Sequence, residues 1–177
     1  MIKKTFKWKE SKKSVFFEKK KEVITLLNKK NLEFLKKTKN QKNNKSRVCL
    51  HKSDRENIHE MIVFHKKGSY VRPHKHLNKL ESFFIISGEV ILVIFNKNGK
   101  PVQKIEMGDY HSGKTFFYKM KKNYFHTQII KKDTMFKEVT NGPFKKNKTL
   151  NAKWSPEDQK KSKVKKYLLN LKNYKIK

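Results

Sequence analysis

The chain has 177 residues, of which 35% are hydrophobic, enough for one domain with a sizeable core and too many for wholesale disorder. Its 46 Lys and Arg residues against 15 Asp and Glu residues give a formal net charge of +31. The longest apolar run, Val90–Phe95, is far too short to cross a bilayer, and the first eight residues lack the apolar stretch of a secretory signal. A single cysteine, Cys49, cannot form a disulfide within the chain, so we expect a cytoplasmic protein.

The N-terminal region has a helical pattern. Residues 1–12 are polar and basic, which predicts a mobile tail. Apolar residues between Phe16 and Lys37 recur mostly every three or four positions, which predicts one or two short amphipathic helices. Residues 38–46 have the composition of a loop.

From about residue 47 the pattern changes to short apolar runs separated by turn residues, which is typical of strands. Asn98-Gly99 predicts a tight hairpin, because both residues tolerate positive φ. Many short strands at close spacing predict a β-sandwich or barrel, and the spacing beyond Pro156 predicts a weak, basic amphipathic helix. The predicted strands are His59–His65, Ser82–Ile86, Val90–Phe95, Val102–Ile105, Thr115–Met120, Tyr124–Ile130 and Thr134–Val139.

The positive charge does not predict a specific nucleic-acid site. Arg occurs only at Arg47, Arg55 and Arg72, whereas Lys is spread over the whole chain. Specific nucleic-acid sites favour Arg because its planar guanidinium forms paired hydrogen bonds and stacks on bases. The pattern indicates a general drift of composition toward Lys, so we expect only weak, non-specific attraction to polyanions.

Four side chains predict a metal site. His74 and His76 are alternate residues of a candidate strand, so both imidazoles face one side and can hold one divalent ion. Glu81 stands before an apolar run, where an unpaired carboxylate would be costly to bury, and a turn over residues 77–80 could return it to the same ion. His126 is the best candidate for a fourth ligand. The other histidines, which we expect to be ordinary hydrogen-bonded or surface residues, are His51, His59, His65 and His111.

Three further residues are candidates for ligand binding. Tyr70 and Arg72 share the parity of His74 and are predicted to flank the metal inside the barrel, where Arg72 would suit a carboxylate or phosphate. Tyr70 and Tyr118 could stack on a ring or hydrogen-bond to it. The alternatives are that each Tyr is a structural residue of the barrel wall, and that Arg72 forms a structural ion pair with Glu60 or Glu138.

The spacing Gly-x5-His-x-His-x4-Glu-x6-Gly, starting at Gly68 and ending at Gly88, resembles the first cupin motif. The resemblance implies an all-β jelly-roll barrel, the double-stranded β-helix, with a metal inside it. The second cupin motif implies His126 as the last ligand, although Lys121 and Asn123 stand where the family usually has Pro and Gly. Such a site accepts Fe, Mn, Zn or Ni.

A closer resemblance is to the WbuC-type cupin-fold metalloproteins. That family is named for members in gene clusters for O-antigen and related surface polysaccharides. The segments that carry the resemblance are Arg47–His51, Ile58–Met61, Ser69–His76, Phe125–Thr127, Glu138–Phe144 and Trp154–Glu157.

The resemblance implies a metal-binding cupin that binds or acts on a sugar or nucleotide-sugar in surface polysaccharide (O-antigen or lipopolysaccharide) biosynthesis, with an isomerase or epimerase as one form. The alternatives are a non-catalytic cupin that binds a small, sugar-like or anionic ligand, and an Fe(II)-dependent dioxygenase. We expect a tail and helical segment over 1–46, a barrel over 47–157 and a basic tail over 158–177. The oligomeric state, for which a homodimer is one candidate, is left open.

Overall fold

A computed structural model describes residues 8–12, 15–18, 25–37 and 44–176. Within them, twelve strands and two α-helices follow one another, with short 3-10 turns at Tyr110–Ser112 and Lys146–Lys148. The elements are β1 (Trp8–Lys12), β2 (Val15–Glu18), α1 (Lys29–Lys37), β3 (Lys45–Cys49), β4 (Ile58–His65), β5 (His74–His76), β6 (Glu81–Ser87), β7 (Glu89–Phe95), β8 (Pro101–Gly108), β9 (Phe117–Met120), β10 (Phe125–Ile130), β11 (Thr134–Asn141), β12 (Thr149–Asn151) and α2 (Lys161–Asn173).

The strands form two facing sheets. One has seven strands in the order β1-β2-β3-β4-β11-β6-β9, and the other has five in the order β12-β5-β10-β7-β8. The described strand pairs are antiparallel except β2 with β3, which is parallel. Strands adjacent in space are mostly distant in sequence, as in a jelly roll. The predicted all-β jelly-roll fold is confirmed.

The main core lies between the sheets, and period-2 alternation along each strand fills it. In β7, Val90 and Leu92 point into this core, whereas Ile91 and Val93 point to the other side of the sheet. Phe83 lies near the centre of the core. Both faces of β7 are covered, which explains its unbroken apolar run.

Each helix covers the outer face of one sheet. Leu35 of α1 is fully buried against Val48, Ile62 and other apolar residues on the outside of the seven-stranded sheet. Leu171 of α2 is buried against the outer face of the five-stranded sheet. The Lys104 ammonium of β8 donates hydrogen bonds to two carbonyl oxygens at the C-terminal end of α2, where a cation is favourable. The predicted C-terminal helix is confirmed.

The N-terminal segment differs from its prediction. Residues 8–12 form β1 instead of a mobile tail, and Phe16 and Phe17 lie in β2 instead of a helix. The reason is tertiary: β2 pairs with the edge of β3, so that Phe16 packs against Phe34 of α1 while Phe17 turns inward. Helix α1 confirms the second half of the helical prediction, and residues 38–43 of the predicted loop lie outside the described residues.

The backbone conformation explains which residues stand at two turns of the motif. Gly88 joins β6 to β7 with a φ of +97°, and a Cβ there would lie 2.3 Å from the carbonyl oxygen of Asp133. Asn123 also has a positive φ, +72°, at the position where cupins usually carry Gly. The short turn before β10 therefore keeps its geometry without Gly.

Candidate metal centre

Three histidines meet inside the barrel because two strands of the five-stranded sheet place them opposite one another. His74 of β5 is paired directly with His126 of β10, and His76 follows two residues later on the same face of β5. One ring nitrogen from each histidine lies within 4.8 Å of the other two. Small rotations of the rings would bring all three nitrogens onto one ion.

The hydrogen bonds of the three imidazoles orient them for coordination. His74 Nδ1 donates to the carbonyl oxygen of Arg72 at 2.8 Å, and His126 Nδ1 donates to that of Tyr124 at 3.0 Å. A carbonyl oxygen only accepts, so in the neutral rings Nε2 keeps its lone pair. His76 Nδ1 lies 3.0 Å from the Thr149 hydroxyl of β12. Holding the far nitrogen in this way is the usual arrangement around metal-ligating histidines.

Glu81, the first residue of β6, closes the cluster from the facing sheet. It is buried, with its carboxylate oxygens 3.4 Å from His76 Nε2 and 3.7 Å from His126 Nε2. Tyr118 of β9 donates a 2.5 Å hydrogen bond to Glu81 Oε1, and Gln128 donates to the Tyr118 hydroxyl at 3.3 Å. The structure therefore brings the four predicted metal-ligating residues together.

The protonation states suit a cation. Burial lowers the pKa of His74 to about 3, with further contributions from His126 and His76, so its ring is neutral. Burial alone would raise the pKa of Glu81, but the hydrogen bond with His76, the charge of His126 and the Tyr118 hydrogen bond outweigh it and lower that pKa. A neutral imidazole at His74 and an ionised carboxylate at Glu81 are both in the form that binds a divalent metal.

Two of the predicted ligand-binding residues lie elsewhere. The prediction that Tyr70 and Arg72 face the barrel interior is wrong. The Tyr70 hydroxyl donates to the carbonyl oxygen of Pro156, and the Arg72 guanidinium donates to Ser155 Oγ at 3.2 Å and to the carbonyl oxygen of Ala152. Both side chains lie outside the barrel, and Arg72 lines a groove beside α2.

The physical reason is a break in strand alternation. Regular β5 begins only at His74, after Pro73, and the inward-facing residue before it is Val71 instead of Arg72. Counting by twos back from His74 therefore gives the wrong face. Neither ion pair considered for Arg72 forms, since Glu60 pairs with Lys137 and Arg72 bonds to Ser155. Tyr118 does point inward, but its hydroxyl is engaged by Glu81.

The cavity around the cluster has a volume of about 570 Å³ and is lined by residues that the sequence analysis did not select as ligand-binding. They include Arg47 of β3, Lys79 before β6 and Glu138 of β11. Burial, followed by the charge of Glu81, raises the pKa of Glu138. Strand alternation could have identified Lys79 from the sequence, because residues 79, 81, 83 and 85 share the inner face of the barrel.

Comparison with family models and with curated proteins gives one match. A family model described as a domain of unknown function (DUF6016) matches residues 27–107, less than half of the chain. The match includes His74, His76 and Glu81 and stops before His126. No curated protein matches the sequence.

Among solved structures, the capsular polysaccharide assembling protein CapF from Staphylococcus aureus matches with a TM-score of 0.51 and 19% identity, over 63% of this chain and 30% of CapF. A mutant of the oxalate decarboxylase OxdC from Bacillus subtilis matches with a TM-score of 0.44 and 20% identity, over 54% of this chain and 24% of that one. A cupin superfamily protein from Desulfitobacterium hafniense matches with a TM-score of 0.45 and 15% identity, over 57% of this chain and 80% of that one.

The match to CapF, with its TM-score of 0.51, supports the class of fold. The chain has the cupin-type jelly roll, with a three-histidine cluster inside the barrel. It spans less than a third of the length of the CapF and oxalate decarboxylase chains. In the described residues no helix is both long and apolar enough to span a membrane.

Proposed function

We propose that this protein is a metal-binding cupin in which His74, His76, His126 and Glu81 hold one divalent ion. The observation that carries the proposal is the arrangement of the three rings: each Nδ1 has a partner on the chain, and one nitrogen of each ring lies within 4.8 Å of the other two, with the Glu81 carboxylate beside His76 and His126. Three nitrogens and one carboxylate oxygen suit Fe, Mn, Zn or Ni. A bound ion would supply a Lewis acid for an oxygen atom of a small molecule.

The ligand that we propose is a sugar or a nucleotide-sugar, with a role in surface polysaccharide assembly. The cavity of about 570 Å³ is within the range of small-molecule sites. The resemblance to WbuC-type cupins and the fold likeness to a protein named for capsular polysaccharide assembly both favour this class. Tyr118 acts here as a positioning residue, because its hydroxyl holds the Glu81 carboxylate.

The metal is tested by elemental analysis of purified protein, which should contain about one equivalent of metal per chain. His76→Ala should lose most of it, because one of four ligands is removed. The matched control is His111→Ala, since His111 is exposed and far from the cluster in sequence. Equal metal content in wild type and His76→Ala would contradict the assignment.

The ligand and reaction are tested on the metal-loaded protein with a panel of sugars and nucleotide-sugars. Calorimetry reports binding, and product analysis separates an isomerase or epimerase from a protein that only binds. Oxygen uptake with the bound ligand would identify a dioxygenase instead. A panel in which nothing binds would reject the sugar class while leaving the metal site intact.

A further inference from the structure

Lys79 is a buried cation with no charged partner at hydrogen-bonding distance. Only 7% of the residue is exposed, yet the ammonium makes no ion pair or hydrogen bond with any residue of the described chain. Its contact is with the ring of Phe144, whose centroid lies 4.8 Å from Nζ. Burying a charge without a partner is costly, so such a residue is seldom explained by stability alone.

The Lys79 side chain lines the cavity that contains the three histidines. The acids whose charges act on it most strongly are Glu138 and Glu81. Neither forms an ion pair with it, because Glu81 is held by Tyr118 and His76. The Lys79 ammonium is thus free to bind a group that enters the cavity.

Arg47 and Lys146 line the same cavity and add two more cations. Arg47 is exposed, and its guanidinium donates a hydrogen bond to the Met61 sulfur at 3.7 Å instead of to a carboxylate. The cavity also contains three carboxylates, so its formal charge is balanced without a metal. A divalent ion on the histidines would leave it with two positive charges in excess. The three carboxylates belong to Asp54, Glu81 and Glu138.

We propose that Lys79, assisted by Arg47, binds the carboxylate or phosphate group of the ligand while the rest of the ligand extends toward the three histidines. The proposal rests on the proposed function, because the excess positive charge depends on the metal. It assigns to Lys79 and Arg47 the anion recognition that the sequence analysis expected of Arg72. Phe144, which is 44% exposed at this cavity, offers a ring face to the ligand beside the ammonium.

The test compares ligands that share one ring and differ in charge: D-glucose, D-glucuronate and D-glucose phosphate. Binding is measured by calorimetry on zinc-loaded protein at physiological salt, so that general attraction to a basic surface is screened. Wild type should prefer at least one anionic probe over glucose, and the two probes separate a carboxylate from a phosphate specificity. Lys79→Met should reduce that preference roughly tenfold to a hundredfold, the effect of one hydrogen bond to a charged group. Lys79→Arg should retain much of it.

Two further measurements separate this role from a structural one. The control is Lys97→Met, which removes a positive charge from the exposed hairpin between β7 and β8 and should leave the preference unchanged. The melting temperature of Lys79→Met should stay the same or rise, because an unpaired buried cation is removed. Its metal content should also stay the same, whereas loss of metal in His76→Ala reports on the metal site alone.

The proposal is wrong if wild type binds neither anionic probe or binds them no better than glucose. It is also wrong if Lys97→Met reduces the preference as much as Lys79→Met, since the overall charge would then be the cause. A large drop in the melting temperature of Lys79→Met would likewise overturn it and make Lys79 structural. Absence of bound metal in wild type would reject the proposed function, whereas metal-loaded protein that shows no preference for the anionic probes would reject only the role of Lys79.

Discussion

Tyr118 of β9 lies diagonally across from Glu81 of β6 in the seven-stranded sheet, since its direct partner there is Phe83, and the Tyr118 hydroxyl donates a 2.5 Å hydrogen bond to Glu81 Oε1. One carboxylate oxygen is thereby held by the barrel wall, and the other lies 3.4 Å from His76 Nε2. The tyrosine thus sets the direction in which Glu81 presents its charge to the histidines.

Removing this hydroxyl should weaken both the metal site and the fold. We expect Tyr118→Phe to reduce metal affinity roughly tenfold to a hundredfold, as loss of a group that orients a ligand usually does. It should also lower the free energy of unfolding by about 1–3 kcal/mol, because a buried carboxylate loses a hydrogen bond. Metal titration and urea unfolding measure the two effects. Tyr110→Phe is the control, since Tyr110 is 69% exposed, and an equal effect there would contradict the prediction.

Gly88 should tolerate no side chain. Its φ is +97°, and a Cβ at this position would lie only 2.3 Å from the carbonyl oxygen of Asp133, which leaves no room for a methyl group. We expect Gly88→Ala to reduce the free energy of unfolding by more than about 2 kcal/mol. Gly68→Ala has a similar φ, +76°, but nothing within 4 Å of its Cβ, so it should lose only about 1 kcal/mol. If urea unfolding showed the same loss of free energy of unfolding for Gly88→Ala and Gly68→Ala, the positive φ alone would explain both losses, and the close contact at Gly88 would not matter.

Helix α1 should contribute to the stability of the barrel. Leu35 is fully buried against the outer face of the seven-stranded sheet, and the carbonyl oxygen of Leu35 accepts a hydrogen bond from the Ser46 hydroxyl. We expect Leu35→Ala to reduce the free energy of unfolding by about 2–5 kcal/mol, as cavity-forming substitutions do. Leu26→Ala, at a residue that is 58% exposed, should change it by less than about 0.5 kcal/mol. A Leu35→Ala variant as stable as wild type would show that α1 is dispensable.

Because of Glu89, the stability of the folded state should depend on pH in the acid range. Hydrogen bonds from Lys114 and Lys132 lower the pKa of Glu89 to about 2, from an ordinary value of 4.5. A lowered pKa means that these ion pairs stabilise the folded state above about pH 4.5 and that the contribution disappears as the pH falls toward 2. We therefore expect Glu89→Gln to melt below wild type at pH 7, with the difference shrinking between pH 5 and pH 3.

The control for Glu89 is Glu106→Gln, in the same group of charges but 56% exposed in its side chain. Its melting temperature should differ less from that of wild type at pH 7. Measurements on metal-free protein keep the acid-induced release of metal out of the comparison, and the histidines titrate alike in both variants. A Glu89→Gln difference that stays constant with pH would contradict the assignment.

Local patterns in the sequence were enough for β4, for β6 to β11 and for the grouping of His74, His76 and Glu81, whereas β3 and β12 were not among the predicted strands. Alternation depends only on the geometry of an extended chain, and the spacing of the motif follows from one strand, one turn and the next strand. The sequence pointed to His126 through the family motif, but its place directly opposite His74 comes from the register between β5 and β10. A local sequence pattern does not specify the register between strands that are far apart in the sequence.

Other features were decided only by tertiary structure. Pro73 interrupts alternation, so Arg72 bonds to Ser155 outside the barrel instead of facing the metal. Phe16 and Phe17 have spacing compatible with a helix, but an open edge of β3 was available and they paired with it as β2. Alternation continued back from β6 places Lys79 on the same face as Glu81, but only the closure of the two sheets buries its side chain. Burial of a charge depends on what surrounds it in space, which neighbours in the sequence do not determine.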